Sequence, residues 1–467
     1  MTQSRIGPIR CVPKTVLALL LLSACAPSDP YAPPVFPFLS GYHGAVQGAP
    51  VLLQNDNWWL RLGDPVLNRL VTAALAGNPS LDVARARVRQ AEAAFAGTAG
   101  LIGLSTSLSA TGSGRLDAAP TGDAKAQPSL SFLLDPYGGH RAQKNAARAG
   151  VEVAAAELDA ARLLLLFNLG NAYVDLRYRQ TLLGLQDQEM QSRRQTLAMT
   201  RTMAEAHDAT QLDITRSEAR VADLEAQRPG LLATIRAKAN EIAVLTGAAP
   251  GTLPADLAHA LDHPGPQPRP ALAPNVGIPA DLLRNRPDIQ VAERQYYIAL
   301  AGLTQAEAAR YPRLSLSGTL TVEAATGVKR VSSYSFGPTI ALPLLPGNQT
   351  KAAVSNARAA IEGAHATWKS TVLTALLEVE NALLDYQAAS VSQHAADRAA
   401  SLYGQTVELT RKVFAQGDAT LTDMIDADQA LAQARQVQAQ TLFQRGQSFV
   451  ALNVRLGAGY AVGAVQP

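Results

Sequence analysis

Cysteine is almost missing from this 467-residue chain; Cys11 and Cys25 are the only two. With both in the first 25 residues, nothing downstream can build a disulfide framework, a thiolate zinc site or a cysteine nucleophile. Aromatic residues are scarce too, at 5%, although hydrophobic residues reach 47%. Much of that apolar count is alanine, which favours helices packed at short range over a large aromatic core. One-sided charge is absent: 41 Lys and Arg face 38 Asp and Glu. That balance points away from nucleic acid and from a polybasic membrane patch. Assembled catalytic chemistry is not there either. Seven histidines are scattered. His259 and His263 have H-x-x-x-H spacing but lack the glutamate after the first His and sit at the edge of a Pro-rich stretch. They read as ordinary linker histidines, with no metal or other cofactor expected. Gly112-Ser113-Gly114 lies in a polar loop without the strand-to-helix setting of a phosphate site or nucleophile elbow. The expectation is a protein that is not an enzyme.

What is present begins at the N-terminus. Arg5, Arg10 and Lys14 precede a short apolar run, Val16 to Leu22, and then Leu22-Ser23-Ala24-Cys25. The run is too short to span a bilayer, so residues 1–24 read as a cleaved signal peptide. The last four residues resemble a bacterial lipobox, which implies diacylation of Cys25. Ala26, by the same resemblance, favours sorting to the outer membrane. Acyl chains anchor stably because each buried CH₂ contributes roughly 0.8 kcal/mol. Without the three basic residues of the signal, basic and acidic residues balance at 38 each.

The chain then repeats itself at a spacing of about 210 residues. Asn78-Pro79 matches Arg286-Pro287, Leu104-Ser105 matches Leu314-Ser315, and Ala147-Arg148-Ala149 matches Ala357-Arg358-Ala359. Asp208-Ala209-Thr210 matches Asp418-Ala419-Thr420, Asp213 matches Asp423, and Gly247 matches Gly457. The predicted organisation is a lipidated arm over 25–55, a first repeat over 56–250, a linker over 251–277, a second repeat over 278–460 and a tail over 461–467.

Each repeat carries two segments of period-two alternation, the strand signal. Leu314, Leu316, Gly318, Leu320 and Val322 alternate with Ser315, Ser317, Thr319 and Thr321. Strands are expected near 104–112, 128–134, 314–322 and 334–342, with polar loops over 112–127 and 323–333. One apolar and one Ser/Thr face fits a lipid-exposed barrel with a wet lumen, and also fits a soluble sandwich. The count is more informative. Four strands cannot close on themselves, and a membrane sheet tolerates no free edge, so several chains would have to share a barrel.

The flanking stretches have helical period. Leu158, Leu165 and Ala172, and beside them Leu169, Leu176 and Leu183, step by seven as in a coiled-coil seam. A helix of about 60 residues spans on the order of 90 Å, longer than any bilayer crossing, so it must project into water. The helices turn near His207-Asp208 and at Gly417-Asp418. Gly417 suits a C′ position of positive φ, and Asp418 or Thr420 can cap the next helix.

The run from Ile278 to Ile289, IPADLLRNRPDI, followed by Ala292-Glu293, resembles the signature of OprM-like and NodT-like outer-membrane efflux lipoproteins within the TolC-like family. Tyr311 to Gly318 is similar as well, and so are Asp64-Pro65, Leu134 to Gly138 and Glu378 to Leu383. The resemblance covers essentially the whole mature chain. It implies a mainly α tandem-repeat fold with a small transmembrane β part, and a homotrimer with a 12-stranded barrel continuing into a helical periplasmic tunnel. It also implies a lipid-anchored place in the outer membrane of a Gram-negative bacterium, with a periplasmic membrane-fusion adaptor and an inner-membrane pump of the RND type as partners. The expected function is a passive conduit for drugs or other small molecules. Two alternatives stay open: a conduit for type I protein secretion with an ABC pump, and a lipid-anchored coiled-coil adaptor without a pore.

Within that resemblance, Gly417 to Ala427 is similar to the family's helix tip, and Asp423 and Asp426 fall on its two ring aspartates, with Asp213 as the first-half counterpart. Three apart, Asp423 and Asp426 share a helix face. Rings of such carboxylates would raise one another's pKa and attract cations. Both acids also simply favour a first helical turn. His207, Asp208, Phe414, Gly417 and Asp418 form the expected tip turns and adaptor-docking positions. Ala419 stands where TolC has a latch arginine, and Phe414 where a tyrosine is usual.

Overall fold

The computed structural model describes residues 33–38, 41–42, 53, 55–98, 100–114, 121–270, 276–326, 330–342 and 347–461. The predicted signal peptide and Cys25 lie outside them. The chain folds as two compact units, one made chiefly of Val88–Ala154 and Val291–Trp368, the other of Phe36–Arg87, Ala155–Gln290 and Lys369–Pro467. The helices of eight residues or more are α1 Pro65–Gly77, α2 Pro79–Gly97, α3 Gly139–Glu205, α4 Gln211–Leu245, α5 Ala255–Asp262, α6 Pro287–Ala308, α7 Gly347–Ala415 and α8 Leu421–Arg455. The 67 residues of α3 and 69 of α7 follow from alanine-rich sequence without internal proline.

The first unit holds the strands β1 Ile102–Ser113, β2 Thr121–Leu134, β3 Arg313–Ala325 and β4 Val331–Ala341, antiparallel in the order β1-β2-β3-β4. The register brings the apolar residues into rows: Ile102 opposite Phe132, Phe132 opposite Leu316, Leu104 opposite Leu130, Leu314 opposite Ile340 and Leu320 opposite Tyr334. Because side chains alternate across a strand, these rows share one face and Ser105, Ser129, Thr319 and Ser335 share the other. All four strands exceed their expected lengths, β2 and β3 by the most. Residues 121–127, read as loop, are strand, and β3 runs on to Ala325. Their side chains are small or charged, so no apolar alternation marks them; backbone pairing with β1 and a Lys125–Glu323 ion pair at 2.9 Å hold them in place. Pro128 lacks an N–H, and the β2–β3 pairing lapses beside it between Ala126 and Ser129.

The second unit has an ordinary core: Trp58, Leu67, Leu70, Leu166, Leu169, Tyr173, Ile242, Val379 and Phe449 are almost wholly buried. Asp64 caps α1 by accepting from Val66 N at 2.9 Å, with Pro65 in the first turn. Its second oxygen accepts from the Tyr173 hydroxyl at 2.5 Å. Burial pushes the Tyr173 phenol up against the opposing Arg177 charge, so it remains a donor. Arg177 donates on to the carbonyls of Ala260 and His263, and Gln180 to that of Leu261. That buried chain ties the inter-repeat linker, with its short α5, to α3.

The repeats close in the same way. Asn78 donates to Leu245 O at 2.9 Å in the first, and Arg286 to Arg455 O at 2.9 Å in the second. Beneath each lies a glycine of positive φ, Gly247 at 84° and Gly457 at 77°. A Cβ there would stand 2.0 Å from Gly77 O and 2.1 Å from Asn285 O respectively, so both the conformation and the contact demand glycine.

Candidate functional site

Two features lack a structural purpose inside one chain: the sheet and the helix tips. Every residue of β1 is exposed, and all of β4 except Gly337. Leu104 is 76% exposed, Leu108 80%, Tyr334 87% and Phe336 71%, a degree of exposure no water-facing sheet sustains as a row. Among the described residues nothing pairs with the outer edges of β1 or β4.

Each tip is a helix, a Schellman turn and a capping box. At the first, His207 N donates to Ala204 O at 3.1 Å and Asp208 N to Met203 O at 2.8 Å. At the second, Gly417 N donates to Phe414 O at 3.0 Å and Asp418 N to Val413 O at 3.1 Å. Gly417 has φ 85°, as expected of a C′ residue, and His207 adopts φ 67° in the same place. Among the described residues His207 is the sole non-glycine at positive φ. Thr210 and Thr420, rather than Asp208 or Asp418, cap the following helices. Asp208 and Asp418 are exposed, and Phe414 is half-buried.

The candidate gate carboxylates divide. Asp213 Oδ2 accepts from Thr210 N at 2.9 Å and Thr210 Oγ1 at 2.6 Å. Asp423 Oδ2 accepts from Thr420 in the same way. Those bonds, the hydroxyl's first and the backbone's second, hold both carboxyls below the usual carboxylate range. This is opposite to the rise expected from a ring of like charges, since within one chain the capping threonines are the nearest partners. Asp426 is exposed one turn on.

Sequence reasoning missed Asp428. It accepts from Ser192 Oγ at 3.0 Å and from Arg411 at 3.1 Å, beside a polar cleft of about 570 Å³ between α3, α7 and α8 lined also by Arg193, Glu408 and Arg435. No local pattern signals it, because its partners come from two other helices. Arg286, within the run that carried the resemblance, bridges Asp288 at 2.6 Å and Glu378 at 2.8 Å, and Arg455 reaches Glu378 at 2.7 Å.

Comparisons with known proteins agree with this geometry. The Outer membrane efflux protein family model matches residues 70–248 and 278–458. Nodulation protein T of Rhizobium leguminosarum bv. trifolii is 31% identical over 454 residues, spanning 94% of this chain and 96% of that protein. The pyoverdine export outer membrane protein OpmQ of Pseudomonas putida is 26% identical across 95% of this chain and 96% of its own length. Among solved structures, the outer-membrane channel OprN superposes with a TM-score of 0.82 at 26% identity, covering 93% of this chain and all of that one.

Proposed function

Because this chain belongs to the outer membrane efflux protein family and serves as an outer-membrane channel of tripartite efflux rather than as an enzyme, we propose that it works as a homotrimer. Its four strands make one third of a 12-stranded barrel, and its long helices one third of a periplasmic tunnel. The observation that carries this reading is the bare sheet, whose two edge strands are almost wholly exposed and, among the described residues, unpaired along their outer edges. Lipid covers the apolar rows, water fills the Ser/Thr side, and neighbouring copies satisfy the edges, as a bilayer requires. A lipid-anchored adaptor without a pore would have no use for such a sheet.

Cys25 carries the lipid anchor. The tip turns, His207-Asp208 and Phe414 to Asp418, receive a periplasmic adaptor, which links the channel to an inner-membrane pump of the RND type. Asp423, Asp426 and Asp213 line the narrow periplasmic end. The cargo is small molecules: relatives include a pyoverdine exporter and the toluene efflux pump outer membrane protein TtgI, chemically unlike substrates that suit a passive tunnel. Purified protein in detergent should run as a heat-modifiable trimer and give conductance steps in planar bilayers. A monomer that gives no conductance would end this reading.

A further inference from the structure

We propose that His259 and His263 together bind a divalent transition-metal ion at the end of α5. The H-x-x-x-H spacing lacks a following glutamate, but the two imidazoles lie together, with ring centroids 3.8 Å apart and tilted by 37°. Both side chains are exposed, so a hydrated ion can reach them. His263 is the C-cap of α5, and its Nδ1 lies 2.9 Å from the carbonyl oxygen of His259. A carbonyl only accepts, so in the neutral ring Nδ1 carries the proton and Nε2 keeps its lone pair. That is the tautomer a metal requires, and donation of the other ring N–H to a carbonyl is the usual way a ligating histidine is oriented. For two imidazole nitrogens to stand about 2.0–2.1 Å from one ion, the stacked rings must splay apart, which their exposed positions leave room for.

The platform is rigid. Arg177 holds His263 O at 3.0 Å and Ala260 O at 3.2 Å, and Gln180 holds Leu261 O at 2.6 Å. The backbone that carries the pair is therefore ordered before an ion arrives. Among the described residues no third His, Cys, Asp or Glu joins the pair, and nearby Asp256 is engaged by Arg69 at 2.7 Å. Solvent completes the coordination, so the ion exchanges readily. A two-imidazole site suits nickel, copper(II) or zinc and not the oxygen-seeking magnesium or calcium. The proposal is independent of the channel reading.

The test uses the full-length protein, purified in detergent without a polyhistidine tag. Nickel is titrated by calorimetry, and copper(II) is followed by electron paramagnetic resonance. The wild type should bind one ion per chain, with two nitrogen ligands in the copper spectrum. His259→Ala and His263→Ala should each weaken binding at least tenfold, and the double variant should remove it. No binding by the wild type, full affinity in either single variant, or binding retained in the double variant would each overturn the proposal.

Discussion

Oδ2 of Asp423 accepts both the backbone N–H of Thr420, at 2.8 Å, and its hydroxyl, at 2.6 Å. The carboxylate that aligns with a gate position is thus already engaged in starting a helix, and Asp213 does the same for Thr210 in the other repeat. Asp426 has no such duty. In the proposed trimer, Asp426 is therefore the gate candidate expected to take up cations. Asp426→Asn should weaken block by multivalent cations several-fold in planar bilayers, and Asp423→Asn should add to it. Thr420→Ala removes the cap, at a cost of about 1 kcal/mol, but leaves both charges, so block should persist. Unchanged block in the double aspartate variant would remove these residues from the gate.

The same caps give the tips a pH dependence. Both carboxyls are depressed in the folded chain, so their contribution is present above the unfolded-state value of about 3.9 and is lost as pH falls through the folded value. Amide exchange at residues 206–213 and 416–423 should be flat from neutral pH down to about pH 4, after correction for intrinsic rates. It should accelerate below that, and Asp213→Asn with Asp423→Asn should abolish the acid transition.

His207 sits at φ 67° where its repeat partner is Gly417. A left-handed conformation costs a non-glycine residue about 1 kcal/mol. His207→Gly should therefore protect the first tip against proteolysis by a corresponding factor of several, whereas Gly417→Ala should expose the second.

At the closing junction the tolerance is far smaller. A Cβ at Gly457 meets Asn285 O at 2.1 Å in addition to its positive φ. Gly457→Ala should destabilise by more than about 3 kcal/mol, read as loss of folded trimer from outer-membrane fractions. Gly404→Ala, beside the polar cleft on α7 where an added Cβ meets nothing within 4 Å, should leave the yield unchanged.

Cys25→Ser should abolish palmitate incorporation in labelled cells. Label retained in that variant would place the lipid elsewhere.

Much of this protein was legible in one dimension. The offset of about 210 residues between Asp213 and Asp423, or Gly247 and Gly457, predicts that the halves share tips and closures, because identical local chemistry builds identical turns. Alternation located the four strands wherever their outward side chains were apolar, and failed at residues 121–127, where pairing rather than hydrophobicity makes the strand. Seven-residue spacing announced the long helices, since a coiled-coil seam is a property of sequence period alone. Tertiary structure decided what period cannot carry. It tied Arg177 to the carbonyls that end α5, and it set Asp428 against Ser192 and Arg411. Each of those depends on where a side chain finds its partner in space, and a partner on another helix leaves no mark in the neighbouring residues.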